Sequence, residues 1–192
     1  VVTKFHPASL VRELLELGVR DVGENRHQEA AAKHSEVADP RMRWHFVGQL
    51  QSNKARAVRA YATAVHSVDR DSVIAALAVA DGRTVDAFLE IDLSGEPHRG
   101  GSDPANAERL AERVLSAPGL RLAGVMAVAP VGAAPRPAFA RLRAVSERIR
   151  ALDPAATALP AGMSGDFVDA ISEGATHLRI GTAITGLRPL RG

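Results

Sequence analysis

The feature that most constrains the fold is a regular alternation of short apolar segments with longer segments of helical periodicity. The strand-like segments are residues 1–3, 19–23, 43–47, 64–68, 84–93, 121–128, 158–162 and 177–180. The predicted helices between and after them are residues 8–17, 24–37, 52–61, 72–80, 104–116, 137–152 and 167–173. Such an alternation requires a parallel sheet with helical crossovers. Eight strands in 192 residues predict an α/β fold, a closed (β/α)8 TIM barrel in a single domain spanning residues 1–192.

The first predicted strand is short and ends on Lys4. The chain does not begin with Met, and the strand starts without a preceding turn. We therefore expect native residues upstream of Val1 that complete a strand truncated at its N-terminus.

Composition narrows the functional classes. The chain has no Cys, which excludes disulfides, thiolate metal sites and a cysteine nucleophile. The net charge is only +2, from 24 basic and 22 acidic residues without a long basic run, so nucleic-acid binding is not expected. No stretch has the roughly 18 apolar residues of a membrane span, and no secretory signal begins the chain. We expect a cytoplasmic protein that does not bind membranes.

Candidate functional residues lie where the predicted strands end, because reactive groups of such barrels sit at the C-terminal ends of strands. Lys4 is either a solvated surface residue or a functional amine. Residues 163–166 follow strand seven, so their N–H groups and the Ser164 hydroxyl could bind an anion, although a plain helix N-cap is the alternative. Gly181 and Thr182 follow strand eight in the same way. Many such barrels bind phosphate at these two turns.

A phosphate site beside Lys4 suits pyridoxal phosphate (PLP) held as a Schiff base, since strand one neighbours strand eight in a closed barrel. The lysine amine must then be partly deprotonated, which burial at the barrel mouth and the nearby Arg179 would both promote. Arg179 would either face the cofactor ring or form a salt bridge inside the barrel. A barrel that binds sugar phosphates without using Lys4 is a further alternative.

Several motifs in a fixed order carry a resemblance to a known family. They are Val2-Thr3-Lys4, Gly23-Glu24-Asn25, Trp44-His45-Phe46-Val47-Gly48, Leu50-Gln51-Ser52-Asn53-Lys54, Gly162-Met163-Ser164-Gly165-Asp166 and Arg179-Ile180-Gly181-Thr182-Ala183. On these motifs, over essentially the whole chain, the sequence resembles the pyridoxal phosphate homeostasis proteins (the PROSC-like, YggS-type family), which have the fold of the N-terminal barrel of alanine racemase. The resemblance implies intracellular vitamin B6 homeostasis, with PLP as the cofactor and no robust catalytic turnover.

The resemblance also implies roles for individual residues. Lys4 would form the Schiff base with PLP, and Asn25 would lie beside the cofactor. Met163 would line the pocket, and Arg179 would meet the pyridine nitrogen. The phosphate would be bound by four residues of the two turns: Ser164, Gly165, Gly181 and Thr182.

Three positions depart from the family pattern. Val22 stands where Phe is often found, Arg26 where an aromatic residue is common, and Gln49 where His is frequent. These departures concern the walls of the implied pocket and not its anchoring residues. They leave the preferred substrate or partner open.

The choice between enzyme and carrier depends on a second acid/base group. Racemisation on PLP needs two such groups on opposite faces of the substrate, commonly the lysine and a tyrosine from another domain. The one tyrosine, Tyr61, is predicted at the end of a helix. We therefore interpret the chain as a monomeric carrier, not an enzyme, with no catalytic residues, whose partners are PLP and PLP-dependent apo-enzymes or amino acids. The alternative is a weak PLP-dependent amino-acid racemase that pairs with another chain, or a related fold-type III PLP enzyme.

The remaining polar residues have simpler interpretations. His45 alternates with Trp44 and Phe46, so we expect the aromatic residues to pack under helices and His45 to point into the barrel, as a satisfied core histidine or a catalytic one. Because no second ligand lies at suitable spacing, we predict no metal site. Lys54 begins a helix and either contacts an anion or is solvated. Residues 94–101 are predicted to form a flexible loop over the barrel mouth.

Overall fold

The sheet of this protein is parallel and follows the order of the chain. The computed structural model describes residues 1–96 and 100–187. The five strands, in spatial order, are β1 (Asp21–Glu24), β2 (Arg43–Phe46), β3 (Ala64–Val68), β4 (Val85–Glu90) and β5 (Leu120–Met126). Each overlaps a predicted strand. β4 is shorter than predicted because the chain after it bridges to the returning loop, where Ile91 pairs with Ser102.

Helices follow the strands on the outside of the sheet. They are α1 (Ala8–Glu16), α2 (His27–Val37), α3 (Ser52–Arg59), α4 (Asp71–Leu77), α5 (Ala107–Leu115), α6 (Pro135–Leu152), α7 (Phe167–Ser172) and α8 (Thr182–Thr185), with a 3₁₀ turn (Pro104–Asn106) before α5. The predicted start of the second helix at Glu24 is wrong. Glu24 ends β1, where its carbonyl accepts from Val47 N (2.8 Å), and Arg26 is still extended.

Three further extended segments complete a ring. Val2 bridges Gly23, Ala158 bridges Gly124, and His177 bridges Pro160, all in parallel. Val2 N also donates to Ile180 O (2.7 Å), which joins the last segment to the first. Eight segments therefore follow one another around a ring, as in the predicted (β/α)8 barrel. Only five form regular ladders; Pro160, for example, has no N–H to donate to one.

The core has two parts. The larger apolar cluster lies between the sheet and the helices and consists mainly of Val, Leu and Ala side chains from both. A smaller cluster of Ala64, Phe88 and Met126 belongs to three adjacent strands. Beside it, Gly124 (φ 153°) lies so close to Ala158 that a Cβ would sit 1.8 Å from the Ala158 carbonyl oxygen, so the contact requires glycine. Among the described residues, no helix is both long and apolar enough to span a membrane.

Candidate functional site

The first extended segment places Lys4 at the C-terminal edge of the barrel, next to the last segment. Val2 N donates to Ile180 O (2.7 Å) on one side, and Thr3 N donates to Gly23 O (3.0 Å) on the other. Lys4 follows directly and is exposed, with Nζ 5.9 Å from the centroid of the Phe5 ring. The predicted adjacency of the first and eighth segments is confirmed. The predicted burial of the Lys4 amine is wrong, because Lys4 is exposed.

A buried ion cluster holds the backbone next to Lys4. Lys33 Nζ lies 2.8 Å from both Glu24 Oε1 and Glu29 Oε1. It also donates to Thr3 O (2.9 Å), while Thr3 Oγ1 donates to Glu24 Oε1 (2.6 Å). The Lys33 and Glu24 side chains are only 7% and 1% exposed, so each charge depends on its partner. Burial raises the pKa of Glu24, against the opposing effect of Lys33.

The residue after Lys4 has an unusual backbone conformation. Phe5 has a left-handed φ of 70°, which is uncommon for a residue other than glycine. Its N–H donates to Glu29 Oε1 (2.5 Å), the same oxygen that accepts from Lys33. Strained backbone of this kind persists where the surrounding structure holds it, often at functional sites. Glu29 thus sets the direction in which the chain leaves Lys4.

Two turns with free amides follow the seventh and eighth segments of the ring. In the first, Asp166 Oδ1 accepts from Met163 N (2.6 Å), which shapes the turn, and Met163 is 42% exposed. The second contacts the first segment, since a Cβ on Gly181 would lie 3.5 Å from Val2 O. Within the described residues, no acceptor is recorded for the amides of Ser164, Gly165, Gly181 and Thr182. A Cβ on Gly165 would meet nothing within 4 Å, so the first turn is open.

These amides, and not a helix field, make the turns suited to an anion. The helices that follow them, α7 and α8, have six and four residues, and the dipole of so short a helix is small. The alternative of a plain N-cap is not supported at Asp166, whose side chain makes no capping bond to α7.

Arg179 lies on the segment between the two turns. Its N–H donates to Gly162 O (2.9 Å), and its Nη2 donates to Ala127 O (3.3 Å). The Arg179 Nε is buried and has no acceptor in the described part of the chain. Burial lowers the pKa of Arg179, an effect that Glu90 and Asp166 oppose. The salt bridge considered for Arg179 is absent from the described residues, which leaves a buried donor for another acceptor.

Asn25 immediately follows β1, at the same edge as Lys4. Its backbone carbonyl lies against Gly48, where a Cβ would be only 2.1 Å from the Asn25 oxygen. Its side-chain Oδ1 is buried and has no partner among the described residues. Asn25 is therefore positioned by its backbone, while its amide is available to a ligand.

The opposite end of the barrel contains a histidine network. His45 Nδ1 lies 2.9 Å from His66 Nε2, and His45 Nε2 lies 2.9 Å from Asp21 Oδ1. These residues line a cavity of about 260 Å³ with His177. The inward orientation of His45 is confirmed, and both of its ring nitrogens have partners, as in a satisfied core histidine. In the described ranges, no group of three or more potential ligands could hold a metal ion.

The family follows from sequence comparisons. Residues 2–189 match the family model of the alanine racemase N-terminal domain. The pyridoxal phosphate homeostasis protein of Corynebacterium glutamicum is 42% identical over 199 residues, covering 98% of this chain and 89% of that protein. The protein of the same name from Pseudomonas aeruginosa is 43% identical over 193 residues, covering 97% and 83%. This chain belongs to the pyridoxal phosphate homeostasis protein family.

Solved structures agree with this family assignment. The structure of PipY of Synechococcus elongatus PCC7942 with PLP bound has a TM-score of 0.88 and 35% identity, covering 97% of this chain and 91% of that one. Alanine racemase of Corynebacterium glutamicum has a TM-score of 0.79 at 16% identity, covering 100% of this chain and 56% of that one, which shows a shared fold alone. The resemblance stated from the sequence motifs and the alanine racemase-like barrel are both confirmed.

Glu90 is a residue of the barrel mouth that the sequence analysis missed. It ends β4, and its Oε2 is buried without a partner among the described residues. Burial, followed by repulsion from Asp69 and Asp92, raises the pKa of Glu90 to about 7, while Arg179 and Arg70 oppose the rise. The predicted strand 84–93 ran past Glu90, so Glu90 was not recognised as a strand end. Its chemistry depends on neighbours that are distant in sequence.

Glu90→Gln is expected to change the pH dependence of stability. Between the ordinary pKa of 4.5 and about 7, the folded protein holds a proton that the unfolded chain has lost, so stability falls as pH rises through this window. Glutamine does not titrate, so the variant should not lose stability in this window. Its free energy of unfolding should exceed that of wild type at about pH 8 by up to roughly 3 kcal/mol, with little difference near pH 4. Urea unfolding across this range measures it. If the free energies of unfolding of the two proteins changed in parallel with pH, the raised pKa of Glu90 would be contradicted.

Proposed function

We propose that this protein binds PLP at the C-terminal edge of its barrel and serves PLP homeostasis in the cell. One observation carries the proposal. The amine of Lys4, the two turns with free amides and the buried donor of Arg179 lie on neighbouring segments of the ring. The 35% identity to PipY, whose structure was solved with PLP bound, supports the same conclusion.

The donor chemistry of these residues fits PLP. A phosphate dianion needs several N–H donors, which the amides of Ser164, Gly165, Gly181 and Thr182 can supply. The unpartnered Nε of Arg179 suits an acceptor such as the pyridine nitrogen. Met163 and Asn25, at the same edge, would line the cofactor. When bound, PLP supplies an electron sink for amino-acid chemistry.

Lys4 is the lysine best suited to hold PLP covalently. The chain has three lysines, Lys4, Lys33 and Lys54. Lys33 is buried and paired with two carboxylates, so its amine is engaged. Lys54 lies on α3, which follows β2, whereas the Lys4 segment directly contacts the segment that leads into Gly181. Proximity to the phosphate turns therefore favours Lys4.

We further propose that the protein holds PLP without robust turnover and passes it to apo-enzymes or amino acids. The sole tyrosine supports this. Tyr61 is buried against α2, its ring stacked on His27 with centroids 5.9 Å apart. Burial, with the charge of Glu24, raises the pKa of the Tyr61 phenol. A tyrosine fixed in the helix layer cannot serve as the second acid/base group opposite Lys4.

Two measurements on the wild-type protein test the proposal. Adding PLP should give a yellow species whose visible spectrum changes on borohydride reduction, which makes the attachment permanent. A protein that stays colourless would favour the sugar-phosphate alternative. Incubation of the PLP-loaded protein with L-alanine or L-serine in heavy water should give little deuterium at the α-carbon. Rapid exchange that depends on Lys4 would instead identify a racemase-type enzyme.

A further inference from the structure

A second polar cavity adjoins the proposed cofactor contacts and shares Asn25 with them. Its volume is about 500 Å³, and it is formed by the ends of β1 and β2, the starts of α2 and α3, and Arg70. Its charged lining residues are all cations: Arg26, Lys54 and Arg70. Amide side chains of Gln28, Gln49 and Gln51 complete much of the wall. Such a wall suits an anion.

Two of the three cations form no ion pair within the part of the chain that the structure describes. Arg70 binds Asp69 (2.6 Å) and the Leu50 carbonyl (2.8 Å), so its charge is partly neutralised. Arg26 and Lys54, in contrast, form no ion pair with any carboxylate among the described residues. Most exposed arginines in the described ranges, by contrast, form an ion pair with a carboxylate.

One lining residue of this cavity also has a buried ring nitrogen without a partner among the described residues. His27, which lines the cavity, has a buried Nδ1 without a partner in the described part of the chain. A buried ring nitrogen without a hydrogen bond is unfavourable unless a ligand or water completes it. In the tautomer whose proton is on Nδ1, the His27 ring would donate a hydrogen bond to an anion in the cavity. This observation is independent of the cationic side chains.

The cavity adjoins Lys4 through the Phe5 ring. Arg26 Cζ lies 5.3 Å from the centroid of that ring, and Lys4 Nζ lies 5.9 Å from the same centroid. A ligand bound by Arg26 would therefore lie near the Phe5 ring, which Lys4 also contacts. The strained backbone at Phe5 and its bond to Glu29 keep the ring in this position.

We propose that this cavity is an anion subsite, separate from the phosphate turns, that binds a carboxylate or phosphate group of a small molecule approaching Lys4. Arg26 and Lys54 supply the charge, and the His27 ring donates. The anion site stands on these contacts alone, whereas its role next to the cofactor rests on the proposed function. A molecule that receives or delivers PLP would bind its acidic group here while its reactive group meets Lys4.

Calorimetric titration with inorganic phosphate in one arm and acetate in the other tests the subsite. The protein is first loaded with PLP and reduced with borohydride, so the phosphate turns are filled and remaining phosphate binding reports the cavity. Lys54→Ala and Arg26→Ala should each weaken binding about tenfold, the loss of one charge-assisted hydrogen bond. Arg56→Ala is the control. It removes an exposed charge from α3, the helix that carries Lys54, but Arg56 does not line the cavity, so anion binding should be unchanged.

The outcomes separate the subsite from the proposed function. Binding of phosphate but not acetate would show that the subsite takes a phosphate group, and binding of acetate but not phosphate would show that it takes a carboxylate. Either result supports the subsite. Binding of neither anion at millimolar concentration, or equal losses in Lys54→Ala and Arg56→Ala, overturns it. If PLP does not load, the same titrations of the unloaded protein still compare the variants, so failure of the cofactor proposal leaves the subsite testable.

Discussion

Lys4→Ala is expected to abolish covalent attachment of PLP. In the wild type, borohydride reduction after PLP addition should give one modified peptide, the one that contains Lys4, by mass spectrometry. The variant should give none, because Lys33 is engaged by Glu24 and Glu29 and Lys54 lies on another part of the ring. Noncovalent PLP binding through the phosphate turns should persist in weaker form. The yellow species should disappear with the adduct.

A matched variant separates the amine from the charge. Lys4→Arg keeps a cation at an exposed position but offers no amine for covalent attachment, so it should also lose the adduct. Both variants should unfold within about 0.5 kcal/mol of wild type, because the side chain is exposed and contributes little to packing. An adduct on Lys54 or Lys33 in the wild type, or an undiminished adduct in Lys4→Ala, would show that the assignment to Lys4 is wrong.

Lys33→Met is expected to destabilise the folded protein by about 3–5 kcal/mol, the largest stability effect of a single change near the site. The substitution keeps the volume but leaves the Glu24 carboxylate buried without its counter-charge. It also removes the donor to Thr3 O, which ties the Lys4 segment to α2. Urea unfolding near pH 7, followed by circular dichroism, measures the shift in midpoint.

The double variant Lys33→Met with Glu24→Gln tests the cause. Replacing both members of a buried ion pair by neutral groups commonly restores much of the stability lost when only one is removed. Most of the loss should therefore be recovered, although Thr3 Oγ1 keeps a weaker, neutral acceptor. A single variant that loses less than about 1 kcal/mol, or a double variant that is less stable than the single one, would argue against a charge-dependent cluster.

The elements of the fold could be predicted because their signals are local. β2, β3 and α1 match the predicted segments within about two residues, since apolar spacing and glycine breaks mark them directly. The start of α2 could not be predicted in this way. Nothing local separates Glu24 from the helix, and the deciding contact, Val47 N to Glu24 O, joins residues far apart in sequence.

The sequence predicted which segments come together around the candidate site, but not the environment of the residues on them. The sequence motifs placed Lys4, Ser164 and Gly181 at strand ends, and the backbone contacts bring their segments together. The exposure of Lys4 was misjudged because burial depends on contacts between segments that are distant in sequence. The raised pKa of Glu90 escaped notice because it arises from desolvation and from Asp69 and Asp92 in the folded protein.

The sequence alone determined the order of strands and helices, and with it the edge on which Lys4 and the two turns lie, because parallel strands all end on the same side. Only the tertiary structure decided that Lys33 is buried between Glu24 and Glu29, and that Arg26 and Lys54 face a common cavity. Periodicity and turn chemistry act between residues close in the chain, whereas burial and ion pairing depend on distances through space that no local pattern encodes.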